Sequence, residues 1–193
     1  TLQQSSAASD VYKRQPLQTL TFYNAIANNG VMVKPRFIKE VKQFDQVVEK
    51  FDTEIISSSI CSQETIDKVK NMMKNVVEKE HGTAHNIYSE DFSMAGKTGT
   101  CQTEYWKSEG LYISSFAGYF PADNPKYSCI VVIHKPNKTK GYYGNVVAAP
   151  VFKEIAQKIY SNIPNVESYD ELKFEVQNCL LYTSPSPRDW MVS

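Results

Sequence analysis

The sequence predicts an α+β fold on three observations. Three β-rich runs, residues 94–103, 111–120 and 127–134, follow one another across short connections, which makes them antiparallel neighbours. Two stretches with helical periodicity precede them, and a third follows. No internal repeat breaks this order. Strands gathered in one stretch, with helices before and after, form layers around one core rather than alternating βαβ units.

The first helix is expected over 16–29. Pro16 suits a first helical turn, Leu17, Leu20, Tyr23 and Ala27 fall at helical spacing, and Asn29-Gly30 supplies a left-handed stop. Short extended runs follow at 31–33 and 37–41, around Pro35. With Val47-Val48-Glu49-Lys50-Phe51 after Asp45-Gln46 they predict a small hairpin. Ser62 opens the second helix as a cap with Thr65 three positions on, a partial capping box. Its core stripe is Ile66, Val69, Met72 with Met73, and Val76 with Val77, and Gly82 is expected to break it. Asp123-Asn124-Pro125 turns the second long strand into the third. A closing helix is expected over 146–163, with Val147, Val151, Ile155 and Ile159 on one face.

The chain has 193 residues, a length that suits one domain. Hydrophobic residues make up 41% and charged residues 22%, which excludes a disordered tail, a collagen-like fibre and a disulfide-stapled mini-protein. Lys+Arg and Asp+Glu are both 21, so the formal net charge is +0 and nucleic acid is not an expected partner. No run approaches the ~20 apolar residues of a membrane helix, so any membrane anchor is expected outside this chain. Cys61, Cys101, Cys129 and Cys179 show no CxxC spacing, and Cys129, in the most apolar strand, reads as a buried thiol. His81 and His85 have the i, i+4 spacing of two metal ligands, but no third ligand accompanies them, and no metal site is expected.

Both ends differ from the middle. Residues 1–15 are rich in Ser, Ala and Gln without an apolar period, and 179–193 contain Ser184-Pro185-Ser186-Pro187. Both resemble translated linker sequence, and both are expected to be non-native or disordered ends. Residues 16–163 are expected to form one core, and 164–178 a linker or the start of an appended segment.

The segment with most chemistry is Ala95-Gly96-Lys97-Thr98-Gly99-Thr100. It places one cation, two hydroxyls and two glycines on one expected strand. Glycine weakens a strand and marks close approach of a ligand or another backbone. If this strand lies at a sheet edge, it can take an extended peptide as an added strand. Lys97, Thr98 and Thr100 can then hold a terminal carboxylate, and a backbone N–H beside them can receive an oxyanion. The tripeptide Lys97-Thr98-Gly99 alone would arise by chance in roughly one in ten chains of this length, so its surroundings must carry the reading. Tyr105, Trp106 and Tyr112 flank the turn after this strand and read as a partly exposed hairpin.

Those surroundings resemble a family. The Lys97-Thr98-Gly99 strand, followed by two more strands and a closing helix, is similar to the C-terminal part of the penicillin-binding protein transpeptidase domain. Leu17 to Gly30 followed by Val33-Lys34-Pro35, Phe116-Ala117-Gly118-Tyr119-Phe120-Pro121-Ala122-Asp123, and Tyr142-Tyr143-Gly144-Asn145-Val146-Val147-Ala148-Ala149-Pro150-Val151-Phe152 all resemble the class B enzymes, most closely division-type enzymes of the Bacteroides group. The family's SxxK and Ser-x-Asn motifs do not occur in this sequence. Tyr143-Gly144-Asn145 and Tyr160-Ser161-Asn162 resemble variants of the second, but they follow the Lys-Thr-Gly strand and read as the start and end of a helix.

The resemblance implies a peptidoglycan D,D-transpeptidase that works through a serine acyl-enzyme and is acylated by beta-lactams. It implies catalytic roles for Lys97 and Thr100 and substrate binding by Lys97, Thr98, Gly99 and Thr100. Thr100 N–H would be half of an oxyanion hole. Cys101 departs from the commoner alanine after the motif. The expected partners are the D-Ala-D-Ala end of a stem peptide, beta-lactams and membrane proteins of the division machinery. No cofactor or metal is implied, and the site would lie on the periplasmic side of the inner membrane. Without the first two motifs the chain alone is expected to be inactive. Two other readings stay open: a non-catalytic beta-lactam sensor of the same fold, and a serine beta-lactamase.

Overall fold

The computed structural model describes residues 16–103, 111–139 and 141–162. One compact unit runs to Ala156, and a second begins at Gln157. The expectations for the chain ends, for 164–178 and for Tyr105 and Trp106 concern residues outside those described. No described helix is long and apolar enough to cross a membrane.

Helix α1 covers Pro16–Ala27. Asn29 and Gly30 then take φ of 52° and 89°, and Gly30 N donates to Ala25 O at 2.8 Å, so the expected left-handed stop is present. The buried side chains are Ala25 and Ile26, while Leu17, the first residue of the apolar spacing, is exposed. Strand β1 (Met32–Val33) pairs with β4 (Ile55–Ser57), a partner the sequence reading did not identify. Between them, β2 (Glu40–Gln43) and β3 (Gln46–Lys50) form the expected hairpin. Its two turn residues, Phe44 and Asp45, both have positive φ, as a twist-matched two-residue hairpin turn requires.

Helix α2 spans Gln63–Glu78, capped by Ser62, whose Oγ accepts from Thr65 N at 3.3 Å. Ile66, Met73 and Val77 are buried, but Met72 points outward at 64% exposure, so one of the two adjacent methionines fills the core. The helix ends at Glu78, a turn before Gly82. Lys79 is already extended, and Gly82 serves the loop that follows. A 3₁₀ turn at His85–Ile87 leads toward the main sheet.

That sheet has the order β5 (Ala95–Thr103), β6 (Leu111–Phe120), β7 (Tyr127–His134), all antiparallel, and it sets the α+β architecture. The register pairs Lys97 with Ala117, Thr98 with Phe116 and Thr100 with Ser114. Alternation along the strands sends the two sets of side chains into different layers. On one face Ala95 and Tyr119 pack with Ile26 of α1 and Met73 of α2. On the other, Phe116 and Phe120 meet Phe152 at ring-centroid distances of 4.8 Å and 5.7 Å. Each such ring, fully buried, contributes about 1.5–3 kcal/mol. Gly96 lies under the Phe116 ring, where a Cβ would stand 2.5 Å from Phe116 Cζ, so one of the two strand glycines answers to packing.

The closing helix differs from expectation in two ways. It is divided into α3 (Gly144–Val147) and α4 (Ala149–Asn162), with Ala148 between them. Pro150 accounts for the division: it has no N–H to donate to the preceding turn, yet fits a new first turn. Gly144, Ala148, Ala149, Phe152 and Ala156 are buried, whereas Val151 of the expected stripe is exposed. Small alanines let the helix approach the sheet, and one phenylalanine fills the space between them.

Candidate functional site

Lys97, Thr98, Gly99 and Thr100 sit in the middle of β5, which is the outer strand of its sheet among the described residues. The backbone there has a readable orientation. A Cβ built on Gly144 would lie 2.5 Å from Ser115 O, 2.7 Å from Gly99 O and 3.2 Å from Gly99 N. Those three atoms therefore cluster between the strands, as in a hydrogen-bonded Gly99–Ser115 pair. Antiparallel alternation then turns the N–H and C=O groups of Thr98 and Thr100 to the outer edge. The same distances show why Gly144 carries no side chain: it lies directly on the β5–β6 backbone.

The side chains are held in three ways. Lys97 is exposed, and its Nζ donates to Thr98 O at 2.6 Å. Among the described residues no carboxylate forms an ion pair with it, so its charge is left for an anion. Thr100 Oγ1 accepts from Gly144 N at 3.1 Å. That bond occupies an oxygen lone pair and leaves the hydroxyl proton to donate elsewhere. Thr98 Oγ1 lies 3.4 Å from Thr83 Oγ1, in the loop after α2.

The segment above Thr100 is itself anchored. Ser114 Oγ donates to Tyr142 O, and the Tyr142 ring stacks on Tyr112 at 4.1 Å between centroids. Tyr143 is the residue before α3 and Gly144 its first, so Tyr143-Gly144-Asn145 starts a helix as read from the sequence. Cys101 is half-buried with its Sγ toward Gln102 O, and Cys129 is half-buried rather than fully buried, its thiol pKa raised by desolvation. His85 Nδ1 lies 3.1 Å from Val77 O and the ring stacks on Tyr88. Among the described residues no group of three or more His, Cys, Asp or Glu is placed to hold a metal.

Sequence reading placed the cation and both strand hydroxyls on one strand, and the structure does so too. It missed Thr83, Gly144 N–H and Ser114. Each reaches the site from a distant part of the chain, and small polar residues carry no periodic signal. Asp123, read as a turn former, does more than that: its carboxylate accepts from Lys74 Nζ of α2 and from Ser93 Oγ, two residues before β5. Those two donors hold its carboxyl below the usual value.

An exposed ammonium, two hydroxyl protons and outward N–H groups along one edge can bind a carboxylate together with the extended peptide that bears it. Comparisons with known proteins bear on this arrangement. The family model described as the penicillin binding protein transpeptidase domain matches residues 5–157. Peptidoglycan D,D-transpeptidase FtsI of Buchnera aphidicola is 32% identical over 150 residues, 75% of this chain and 24% of that protein. Penicillin-binding protein PbpB of Mycolicibacterium smegmatis is 33% identical over 162 residues, 77% of this chain and 24% of that protein. The chain thus spans about a quarter of the length of these curated relatives. Among solved structures, penicillin binding protein 3 from Mycobacterium tuberculosis complexed with aztreonam superposes with a TM-score of 0.63 at 32% identity, over 77% of this chain and 35% of that one. Penicillin-binding protein 2B from Streptococcus pneumoniae shares the fold at 21% identity, with a TM-score of 0.63 over 79% of this chain and 26% of that one.

Proposed function

The chain belongs to the transpeptidase-domain family of the penicillin-binding proteins, and from that premise we propose that it is part of a class B, serine-type D,D-transpeptidase that cross-links peptidoglycan during division. The observation that carries this reading is the pairing of an ammonium that forms no ion pair with a carboxylate among the described residues, Lys97, with a Thr100 hydroxyl whose oxygen is engaged by Gly144 N–H and whose proton is therefore available.

In this reading the terminal carboxylate of a D-Ala-D-Ala stem peptide lies against Lys97 Nζ and the hydroxyls of Thr98 and Thr100. The peptide runs along the outer edge of β5. A serine outside this chain attacks the carbonyl between the two D-alanines. Thr100 N–H and that serine's own N–H receive the oxyanion. The terminal D-alanine leaves as the acyl-enzyme forms, and an amine of a neighbouring strand then takes the acyl group. Beta-lactams present a carboxylate and a strained carbonyl to the same groups, in line with the aztreonam complex of the mycobacterial relative. The parent protein would work on the periplasmic side of the inner membrane beside division proteins, with no cofactor or metal.

Labelling with a fluorescent penicillin tests this. The chain alone should form no covalent adduct, because no lysine in it has a serine three residues before it. The full-length protein should label, and Lys97→Ala should slow that labelling by about 10²–10³-fold, the effect of removing a typical oxyanion donor. Boiling-resistant, competable labelling of the chain alone would refute the missing-nucleophile reading. Full-speed labelling of the Lys97→Ala protein would refute the role of that lysine.

A further inference from the structure

Thr83 lies off the strand, in the loop that leaves α2, and nothing in the sequence marks it. Its Oγ1 is 3.4 Å from Thr98 Oγ1. That separation exceeds the usual O–H···O distance of about 2.7–2.8 Å, so neither hydroxyl fully satisfies the other and both can still donate. A carboxylate has two acceptor oxygens on one carbon and can accept a hydrogen bond from each of two neighbouring hydroxyls.

The loop that carries Thr83 is fixed on both flanks. Toward α2, Gly82 N donates to Lys79 O at 2.7 Å, Ala84 N to Val76 O at 3.0 Å and His85 N to Gly82 O at 3.1 Å. A Cβ at Gly82 would stand 2.3 Å from Val76 O, so the chain passes closer to the end of α2 than any side chain permits. On the other flank, Asn86 Nδ2 donates to Asn145 O in α3 at 2.8 Å. The first residue of α3, Gly144, in turn donates to Thr100 Oγ1. Loop, α3 and β5 thus form a ring of polar contacts that includes Thr98 and Thr100. Thr83 is exposed within that ring, so packing does not account for its position.

We propose that Thr83 is a third hydroxyl of the carboxylate site, supplied by the loop after α2, and that it helps the site prefer a carboxylate over a neutral end group. This inference rests on the reading of β5 as the carboxylate-binding strand. Thr83 donates to one carboxylate oxygen while Thr98 donates to the other, and the Lys97 ammonium balances the charge.

The test is acylation of the full-length protein by a penicillin and by the same penicillin as its methyl ester. Thr83→Val should slow acylation by the free acid by about 10-fold, the loss of one hydrogen bond to a charged group, and acylation by the ester by less than about twofold. Thr83→Ser should restore the acid rate. An equal loss on acid and ester would show a structural role only, and no loss on the acid would also overturn the proposal. Lys97→Ala serves as the control. If Lys97→Ala slows the acid and Thr83→Val does not, only this inference fails. If Lys97→Ala also leaves the acid rate unchanged, the reading of β5 fails with it.

Discussion

The main sheet and the β2–β3 hairpin are both antiparallel, yet they are held by different forces. In the sheet, Phe116, Tyr119 and Phe120 are fully buried and helices pack on both faces. In the hairpin every residue of β3 is exposed, and Phe44 at its turn is 93% exposed. Backbone pairing and turn geometry, rather than buried side chains, keep the hairpin in register. The candidate site lies in the sheet. Its strand is fixed by burial beneath it and by hydrogen bonds from α3 above it, so Lys97, Thr98 and Thr100 need little further ordering to meet a ligand.

The sharpest way to break this contrast is to remove an aromatic ring from each region. Phe152→Ala should cost about 3–5 kcal/mol, because the ring fills the space between α4 and two sheet phenylalanines. Phe44→Ala should change stability by no more than about 0.5 kcal/mol. Denaturant unfolding of both variants measures the difference. Similar losses would mean that the hairpin is packed as firmly as the sheet.

A second variant leaves the core in place and disturbs the site. Gly144→Ala puts a methyl group against Ser115 O and Gly99 O and lifts α3 from β5. A displacement of about 1 Å should slow acylation of the full-length protein on the order of 10²-fold, well beyond its effect on stability. A wild-type acylation rate in this variant would show that Thr100 does not depend on α3 for its orientation.

The same contrast explains what the sequence revealed. Strands β6 and β7 begin and end where the alternation and turn residues placed them, and β5 differs by one residue. There, β-branched runs and punctuating Pro, Asn and Asp state the local geometry directly. The helix stripes were misassigned where alanine makes the contact, because Ala148, Ala149 and Ala156 add little to an apolar pattern yet determine how closely α4 approaches. β4 was missed because its partner β1 lies more than twenty residues earlier, and three residues give no period. At the site, the strand residues were visible because they are contiguous. Thr83 and Gly144 were not, because only the fold brings them near Thr98 and Thr100.

A smaller effect belongs to the α2 cap. Ser62→Ala removes the acceptor for Thr65 N and should lower stability by about 1 kcal/mol. Thermal unfolding reads this loss, and Ser62→Asp should restore most of it. If Ser62→Ala melts like the wild type, the cap contributes nothing to a helix already held by Ile66, Met73 and Val77.

The smallest effect compares two ion pairs, one in each region. Lys74 and Asp123 join α2 to the turn after β6, and Ser93 adds a hydrogen bond. The Asp123 carboxyl is lowered from 3.8, first by the Lys74 hydrogen bond, and the Lys74 ammonium is raised from 10.5 by the same bond. A lowered acid stabilises above its unfolded pKa, and that contribution is lost as pH falls through the folded value. A raised base stabilises below its unfolded pKa, and that contribution is lost as pH rises through the folded value. The bridge therefore contributes fully between pH values above 3.8 and below 10.5. Both partners are accessible to solvent, so its net value is about 0–1 kcal/mol. In the hairpin, Glu40 is likewise lowered by a hydrogen bond from Lys42, two residues along the same strand. Asp123→Asn should therefore flatten the acid side of the stability–pH curve, with a larger effect in low salt, while Glu40→Gln should leave it unchanged. The Asp123 bridge ties together three elements that carry buried side chains, whereas the hairpin pair joins two neighbouring positions of one exposed strand. If the two variants flatten the curve equally, local proximity accounts for both pairs and the packing of the surrounding region adds nothing to the bridge.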